Sequence, residues 1–145
     1  MNSIDTNILL YGTNADCPEH QWARPVLERM LANPSEWILA DQVLFEYYRL
    51  VRNPAVVEKP LSAKEASQRI RFFRQESGCL HCGYDISCWT GIFQTLSAKE
   101  FSAGRVFDLV LAVTLKHAGV TTFYTRNIRD FKSFGCFELV NPEEQ

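Results

Sequence analysis

Four acidic residues in this chain, Asp5, Glu46, Asp108 and Asp130, are spaced so that one site could gather them. Carboxylates sharing a pocket repel one another, which raises some pKa values and costs stability unless a cation neutralises them. Mg²⁺ or Mn²⁺ suits a site built from carboxylate and water oxygens. The chemistry such a site offers is activation of a water molecule and stabilisation of charge on a phosphoryl group. No catalytic histidine is then required, and His20, His81 and His117 fall in no recognisable base or zinc motif. His117 lies nine positions after Asp108, half a turn out of phase on an ideal helix, and so faces away from that acid. Each acid taken singly has an ordinary explanation: a strand-end turn for Asp5, a solvated helix position for Glu46, a helix-dipole partner for Asp108, an exposed turn beside Arg129 for Asp130. The metal chemistry rests on the four together.

These acids need elements to position them. Three short apolar runs read as strands: Ser3-Ile4-Asp5, closely followed by the apolar group Ile8-Leu9-Leu10-Tyr11; Trp37-Ile38-Leu39-Ala40; and Thr121-Thr122-Phe123-Tyr124-Thr125. A weaker fourth, Cys136-Phe137-Glu138-Leu139-Val140, stops at Asn141-Pro142. Helical patterns fall between them. Pro18 to Leu31 carries Trp22, Val26 and Met30 on one face, with Pro25 expected to kink it or shift its start. Asp41 is expected to cap a helix running to about Arg52, and Ser62-Ala63-Lys64-Glu65 forms a capping box for another that ends at Gly78. Asp85 caps a segment with Trp89, Ile92, Phe93 and Leu96, and a last long helix spans about Phe107 to Ala118, closed by Gly119. Strands alternating with helices predict a parallel sheet flanked by helices, with Ser62 to Leu96 as a helical insertion. Ligands gather beyond the carboxyl ends of such strands. Asp5 ends the first strand, Glu46 lies about one turn into the helix after the second, and Asp130 follows the third.

Composition narrows the class further. The 145 residues suit one domain over 1–145, and 46% hydrophobic with 22% charged residues is too apolar for disorder. A net charge of −2 argues against indiscriminate coating of nucleic acid. It is compatible with a selective site, because basic residues outnumber acidic ones once the four acids are set aside. No run reaches the ~18–20 apolar residues that span a bilayer, and the N-terminus does not resemble a secretory signal. The odd cysteine count (Cys17, Cys79, Cys82, Cys88, Cys136) argues against a disulfide scaffold, so the expected location is cytoplasmic.

Four segments together carry a family resemblance. Ser3-Ile4-Asp5-Thr6-Asn7-Ile8-Leu9-Leu10-Tyr11 resembles the opening strand of PIN-domain nucleases, with the first metal-binding acid in its D-T-N setting. Leu44-Phe45-Glu46-Tyr47-Tyr48-Arg49-Leu50-Val51-Arg52-Asn53-Pro54 resembles the second-acid helix of the VapC-type toxins in that family. Phe107-Asp108-Leu109-Val110-Leu111-Ala112 is similar to the third-acid helix, and Thr125-Arg126-Asn127-Ile128-Arg129-Asp130-Phe131 to the closing element. The resemblance covers nearly the whole chain, in order. It implies a three-layer α/β/α domain with a central, mainly parallel, four- to five-stranded sheet. It also implies a divalent-metal-dependent endoribonuclease, commonly inhibited by a partner antitoxin and commonly a homodimer. By the resemblance Asp5, Glu46 and Asp108 hold Mg²⁺ or Mn²⁺, and Thr6 and Asn7 support the cluster, as do Thr125 and Asn127 in the closing element. Many members carry an acid where Asn127 stands; an amide adds no charge, so Asp130 is the candidate fourth carboxylate.

Arg105, Arg126, Arg129 and Lys132 flank the third and fourth acids and are candidate contacts to an RNA backbone. Arg69, Arg71 and Arg74 beside Phe72 and Phe73 read first as a solvated helix face. Trp22, Tyr47 and Tyr48 are candidate walls for an antitoxin groove. Cys79-x-x-Cys82 with His81 and Cys88 lacks the second ligand pair of a zinc site and is assigned no metal. Two rival readings stay open. One is a non-catalytic binding module on the same scaffold, which Asn127 permits. The other is an aspartyl-phosphate phosphohydrolase, in which Asn7 stands where a second acid would be expected.

Overall fold

The computed structural model describes residues 1–145. Five short strands, β1 (Asn2–Ile4), β2 (Ile38–Ala40), β3 (Leu80–Cys82), β4 (Thr122–Tyr124) and β5 (Glu138–Val140), form two parallel ladders. One has the order β1-β4-β5 and the other pairs β2 with β3. A single parallel bridge, Asn2 to Trp37, brings the ladders edge to edge and yields the order β3-β2-β1-β4-β5. Every pairing is parallel, as expected from strands that alternate with helices.

The first element turns sooner than its apolar pattern suggests. β1 ends at Ile4, and Asp5 caps the next helix, α1 (Thr6–Thr13), by accepting a hydrogen bond from the Thr6 amide. The group Ile8-Leu9-Leu10-Tyr11 therefore belongs to α1 and does not extend the strand. A run of four apolar residues cannot by itself separate a buried strand from a buried helix. Gly12 lets α1 approach α2 (His20–Ala32) closely: a Cβ there would lie 2.5 Å from Leu27 Cδ1. The start of α2 falls later than Pro18, and the helix runs unbroken through Pro25.

The helix α3 (Asp41–Val51) follows β2 directly. Ala40 occupies its cap, and the Asp41 side chain pairs with Arg74 Nε at 2.9 Å, so the expected Asp41 cap is corrected. The Ser62 capping box does open α4 (Ala63–Arg71), which passes into a π-helical turn at Phe72–Glu76 before Gly78 reverses the chain at φ +79°. The stretch from Ser62 to Leu96 is not wholly helical, because β3 lies within it and pairs along β2. Asp85 caps a short 3₁₀ turn that leads into α5 (Trp89–Leu96). The long helix α6 (Val106–His117) precedes β4, and α7 (Ile128–Lys132) follows it.

The core is a cluster of 26 buried residues in which Ile4, Trp37, Leu39, Tyr47 and Phe123 are at most 1% exposed. Cys88, Ile92 and Leu109 form a small satellite between α5 and α6. No helix is long and apolar enough to cross a membrane.

Candidate active site

Asp5 is the most constrained acid in the molecule. Being the α1 cap, its carboxylate sits at the carboxyl end of β1 with only 7% exposure. Its Oδ1 accepts the Thr6 amide at 2.7 Å, while Oδ2 accepts Asn7 Nδ2 at 2.8 Å and Thr125 Oγ1 at 2.6 Å. A carboxylate offers about four lone-pair directions, so three are engaged and one, on Oδ1, is open. Burial pushes its pKa from 3.8 up to about 6, against the lowering effect of the Thr125 and Thr6 hydrogen bonds and with added repulsion from Glu46 and Asp108.

Thr6 ties this acid to the second. Its amide reaches Asp5, and its hydroxyl donates to Glu46 Oε2 at 2.7 Å across 40 residues of sequence. Glu46 Oε1 accepts from Gln42 Nε2 at 3.2 Å, one helical turn earlier on α3. The same Gln42 nitrogen donates to the Phe107 carbonyl at 2.9 Å, clamping α3 to the start of α6 just before Asp108. Asp108 is half-buried; burial raises its pKa, Asp130 and Glu46 raise it further, and Arg105 opposes them. Asp5 thus feels the charges of Glu46 and Asp108, and Asp108 those of Glu46 and Asp130.

The supporting residues are more closely knit than their sequence separation suggests. Thr125 is fully buried at the end of β4, where its hydroxyl donates to Asp5 and accepts from the Asn127 amide at 2.9 Å. The Asn7 side chain spans Asp5 and the Arg126 amide, the latter at 3.3 Å. Asn127 contributes this backbone contact, and its exposed side chain bonds to none of the acids.

The candidate cations fall into two groups. Arg126 is held by Glu19 at 3.1 Å and Glu143 at 3.2 Å, with its guanidinium 5.9 Å from the ring centres of Tyr11 and Trp22. Arg105 is bound to the Asp130 carbonyl and to Ser133 Oγ, and lies over the Phe134 ring. Arg129 and Lys132, on α7, are exposed and make no ion pair. Of the three candidate groove walls, Tyr47 is excluded: it is fully buried, with its hydroxyl shared between Thr13 and Arg69.

Gln42 was not singled out by sequence reasoning. Its only signal is its position four residues before Glu46, where an amide reaches a carboxylate on the same helix face. Beyond Gln42 and Glu46 opens a cleft of about 750 Å³, also lined by Phe45, Arg49, Trp89 and Phe107.

All the candidate ligands are carboxylate oxygens, and Asp5 and Glu46 each keep open lone pairs beside the bonds that orient them. No three His, Cys, Asp or Glu side chains converge closely enough to chelate an ion on their own. That donor set fits Mg²⁺, which usually keeps several waters and takes one or two carboxylates directly.

The raised pKa of Asp5 couples folding to pH. In the metal-free protein the folded value of about 6 exceeds the unfolded 3.8, so the folded state holds a proton that the unfolded chain gives up. The resulting stabilisation is complete below 3.8 and is lost as pH rises through about 6. The total is about 3 kcal/mol at ~1.4 kcal/mol per pKa unit. Calorimetric unfolding of metal-free protein across pH 4 to 7 is expected to show this loss in wild type and not in Asp5→Asn.

A parallel sheet flanked by helices, with Asp5 at the carboxyl end of β1 bridged by Thr6 to Glu46 on α3, agrees with the PIN-type resemblance of the sequence. The PIN domain family model matches residues 3–135. Ribonuclease VapC24 of Mycobacterium tuberculosis is 38% identical over 142 residues, covering 98% of this chain and 97% of its own. The VapC ribonuclease Mb2897 of Mycobacterium bovis is 41% identical over 113 residues, covering 77% and 76%. Among solved structures, M. tuberculosis VapC20, a sarcin–ricin loop cleaving toxin, superposes with a TM-score of 0.67 at 16% identity, over 95% of this chain and 98% of that one. DNA-bound VapBC of Salmonella typhimurium gives 0.67 at 21% identity, over 97% of each chain. This chain belongs to the PIN-domain family, in its VapC branch.

Proposed function

We propose that this protein, as one domain over 1–145, is a divalent-metal-dependent endoribonuclease and the toxin of a toxin–antitoxin pair. The observation that carries the reading is the Thr6 bridge, which joins a buried Asp5 to Glu46 while Asp108 lies within electrostatic reach. Asp5, Glu46 and Asp108 would hold the ion, one or two of them directly and the rest through its bound waters. Once bound, Mg²⁺ or Mn²⁺ supplies a nucleophilic water at neutral pH and stabilises charge on the phosphoryl group.

The chain's own residues orient that centre. Thr125 and Asn7 fix the Asp5 carboxylate, Gln42 and Thr6 fix Glu46, and Asp130 adds negative charge beside Asp108. Arg129 and Lys132 are free to meet backbone phosphates. Arg105 and Arg126 act through the residues they hold. The Thr125 hydroxyl, donated in full to Asp5, keeps that carboxyl ionisable near neutral pH in spite of its burial.

For the partners, the groove of about 510 Å³ lined by Leu27, Leu31, Leu61 and Phe72 suits the apolar face of an antitoxin segment. Ile86, Phe93 and Leu96 are exposed by 89%, 61% and 38% on a stretch without charged residues from Ile86 to Ala98. An uncharged apolar face of this kind is self-complementary and suits a second copy of the chain. All five cysteines are free, in keeping with the cytoplasm.

Sequencing the RNA ends generated by pure protein with Mg²⁺ tests the activity. Discrete ends are expected from wild type, with none from Asp108→Asn or in EDTA. A wild-type protein that binds Mn²⁺ and leaves RNA intact would instead be a binding module.

A further inference from the structure

We propose that the cleft beside Glu46 is a stacking subsite for an unpaired nucleotide of single-stranded RNA, with Phe45 and Phe107 as its aromatic faces and Arg49 as its phosphate contact. This rests on the ribonuclease reading and adds to it where a base of the substrate is seated.

Phe45 and Phe107 each immediately precede a site acid, Glu46 on α3 and Asp108 on α6. Both rings line the same cleft and are 71% and 67% exposed. Gln42 sets their relation, since one nitrogen donates to Glu46 and to the Phe107 carbonyl. Its side-chain oxygen has no partner in the protein and is free to accept from the N–H edge of a base. Trp89 closes the far wall at 42% exposure. The volume of about 750 Å³ lies in the range of small-molecule sites.

Charge selects the occupant. Asp41 in the cleft wall is neutralised by Arg74, whereas Arg49, three residues past Glu46, makes neither an ion pair nor a hydrogen bond. A free cation, a free amide oxygen and exposed rings match a phosphate, a base edge and a base face. Base–aromatic stacking tolerates any base, because every base offers a π-face.

The test is fluorescence anisotropy of a labelled unpaired oligoribonucleotide in EDTA, with cleavage in Mg²⁺ and sedimentation velocity run on the same proteins. Phe45→Ala and Phe107→Ala are each expected to weaken binding between about fivefold and a hundredfold, and Phe45→Tyr to restore it. Arg49→Ala is expected to lower the salt dependence of binding as well. Folded alanine variants that bind and cut RNA like wild type would overturn the subsite and leave the ribonuclease reading standing. Ring-dependent binding by a wild-type protein that never cuts RNA would uphold the subsite and remove the ribonuclease reading. Affinity lost only in step with a halving of the sedimenting mass would assign the rings to a contact between copies and overturn the proposal.

Discussion

Asp5→Asn is expected to reduce RNA cleavage in Mg²⁺ by about a thousandfold or more, equivalent to roughly 4 kcal/mol of barrier, while leaving the protein folded. The substitution removes a charge and hardly alters size. Its structural consequence is the balance of two opposed effects. Three donors, the Thr6 amide, Asn7 Nδ2 and the Thr125 hydroxyl, converge on the carboxylate, and an asparagine presents only one oxygen to them. One donor must then face an N–H, at a cost of about 1–3 kcal/mol. Against this, the variant no longer ionises a buried carboxyl whose pKa stands at about 6, which relieves a penalty of similar size at neutral pH. Thermal unfolding of metal-free protein at pH 7 should therefore change little. Divalent ions should raise the melting temperature of wild type and not of the variant. Full cleavage by a folded Asp5→Asn protein would sink the assignment.

Phe123→Ala has the largest expected effect on stability, a loss of about 3–5 kcal/mol. Phe123 is fully buried on β4, between β1 and β5. Its ring lies 4.9 Å from Phe131 at 70° and 5.5 Å from Phe137 at 47°, both favourable aromatic arrangements. Phe131 belongs to α7, the helix that carries Arg129, Asp130 and Lys132, so the cavity would loosen that helix along with the sheet. A melting temperature lower by about 10 °C follows for a chain of this size. Urea unfolding within ~1 kcal/mol of wild type would show that the three rings do not act as one packing unit.

The chemistry of this chain was more legible than its architecture. Asp5 and Glu46 follow recognisable strands and were legible from spacing, whereas Asp108 opens α6 ahead of its strand and was suggested only by the resemblance. Local chemistry that depends on neighbouring residues was also visible, as with the Ser62 capping box and Gly119, which closes α6 at φ +86°. What escaped depends on distant partners. β3 is three residues long and paired on one side only, so Leu80-His81-Cys82 lacks the continuous apolar run of a central strand. Asp41 has the right type for a cap, yet Arg74, 33 residues away, claims its carboxylate. Tyr47 was named as a candidate groove wall. Its helix phase points it into the core, where Phe73 packs at 6.2 Å. Gln42 depends on the packing of α3 on α6, which no local pattern encodes.

The lone bridge between Asn2 and Trp37 bears on how the carboxylates can be spaced. Asp5 and Thr125 emerge from β1 and β4, which share a full three-residue register. Glu46 rides on α3, which springs from β2 on the other side of that bridge. Across this line the backbone contributes one bridge, assisted by a 3.4 Å bond from Asn2 Nδ2 to the Glu36 carbonyl and by Trp37 stacking on Tyr124 at 5.3 Å. Regions with few shared backbone hydrogen bonds open at lower free energy than the ladders beside them. The two ladders therefore share fewer backbone bonds with each other than they hold within themselves, and α1 and α3 meet across the line through the Thr6–Glu46 and Thr13–Tyr47 hydrogen bonds. In the proposed ion site Asp5 would be the fixed jaw of a gauge and Glu46 the sliding one.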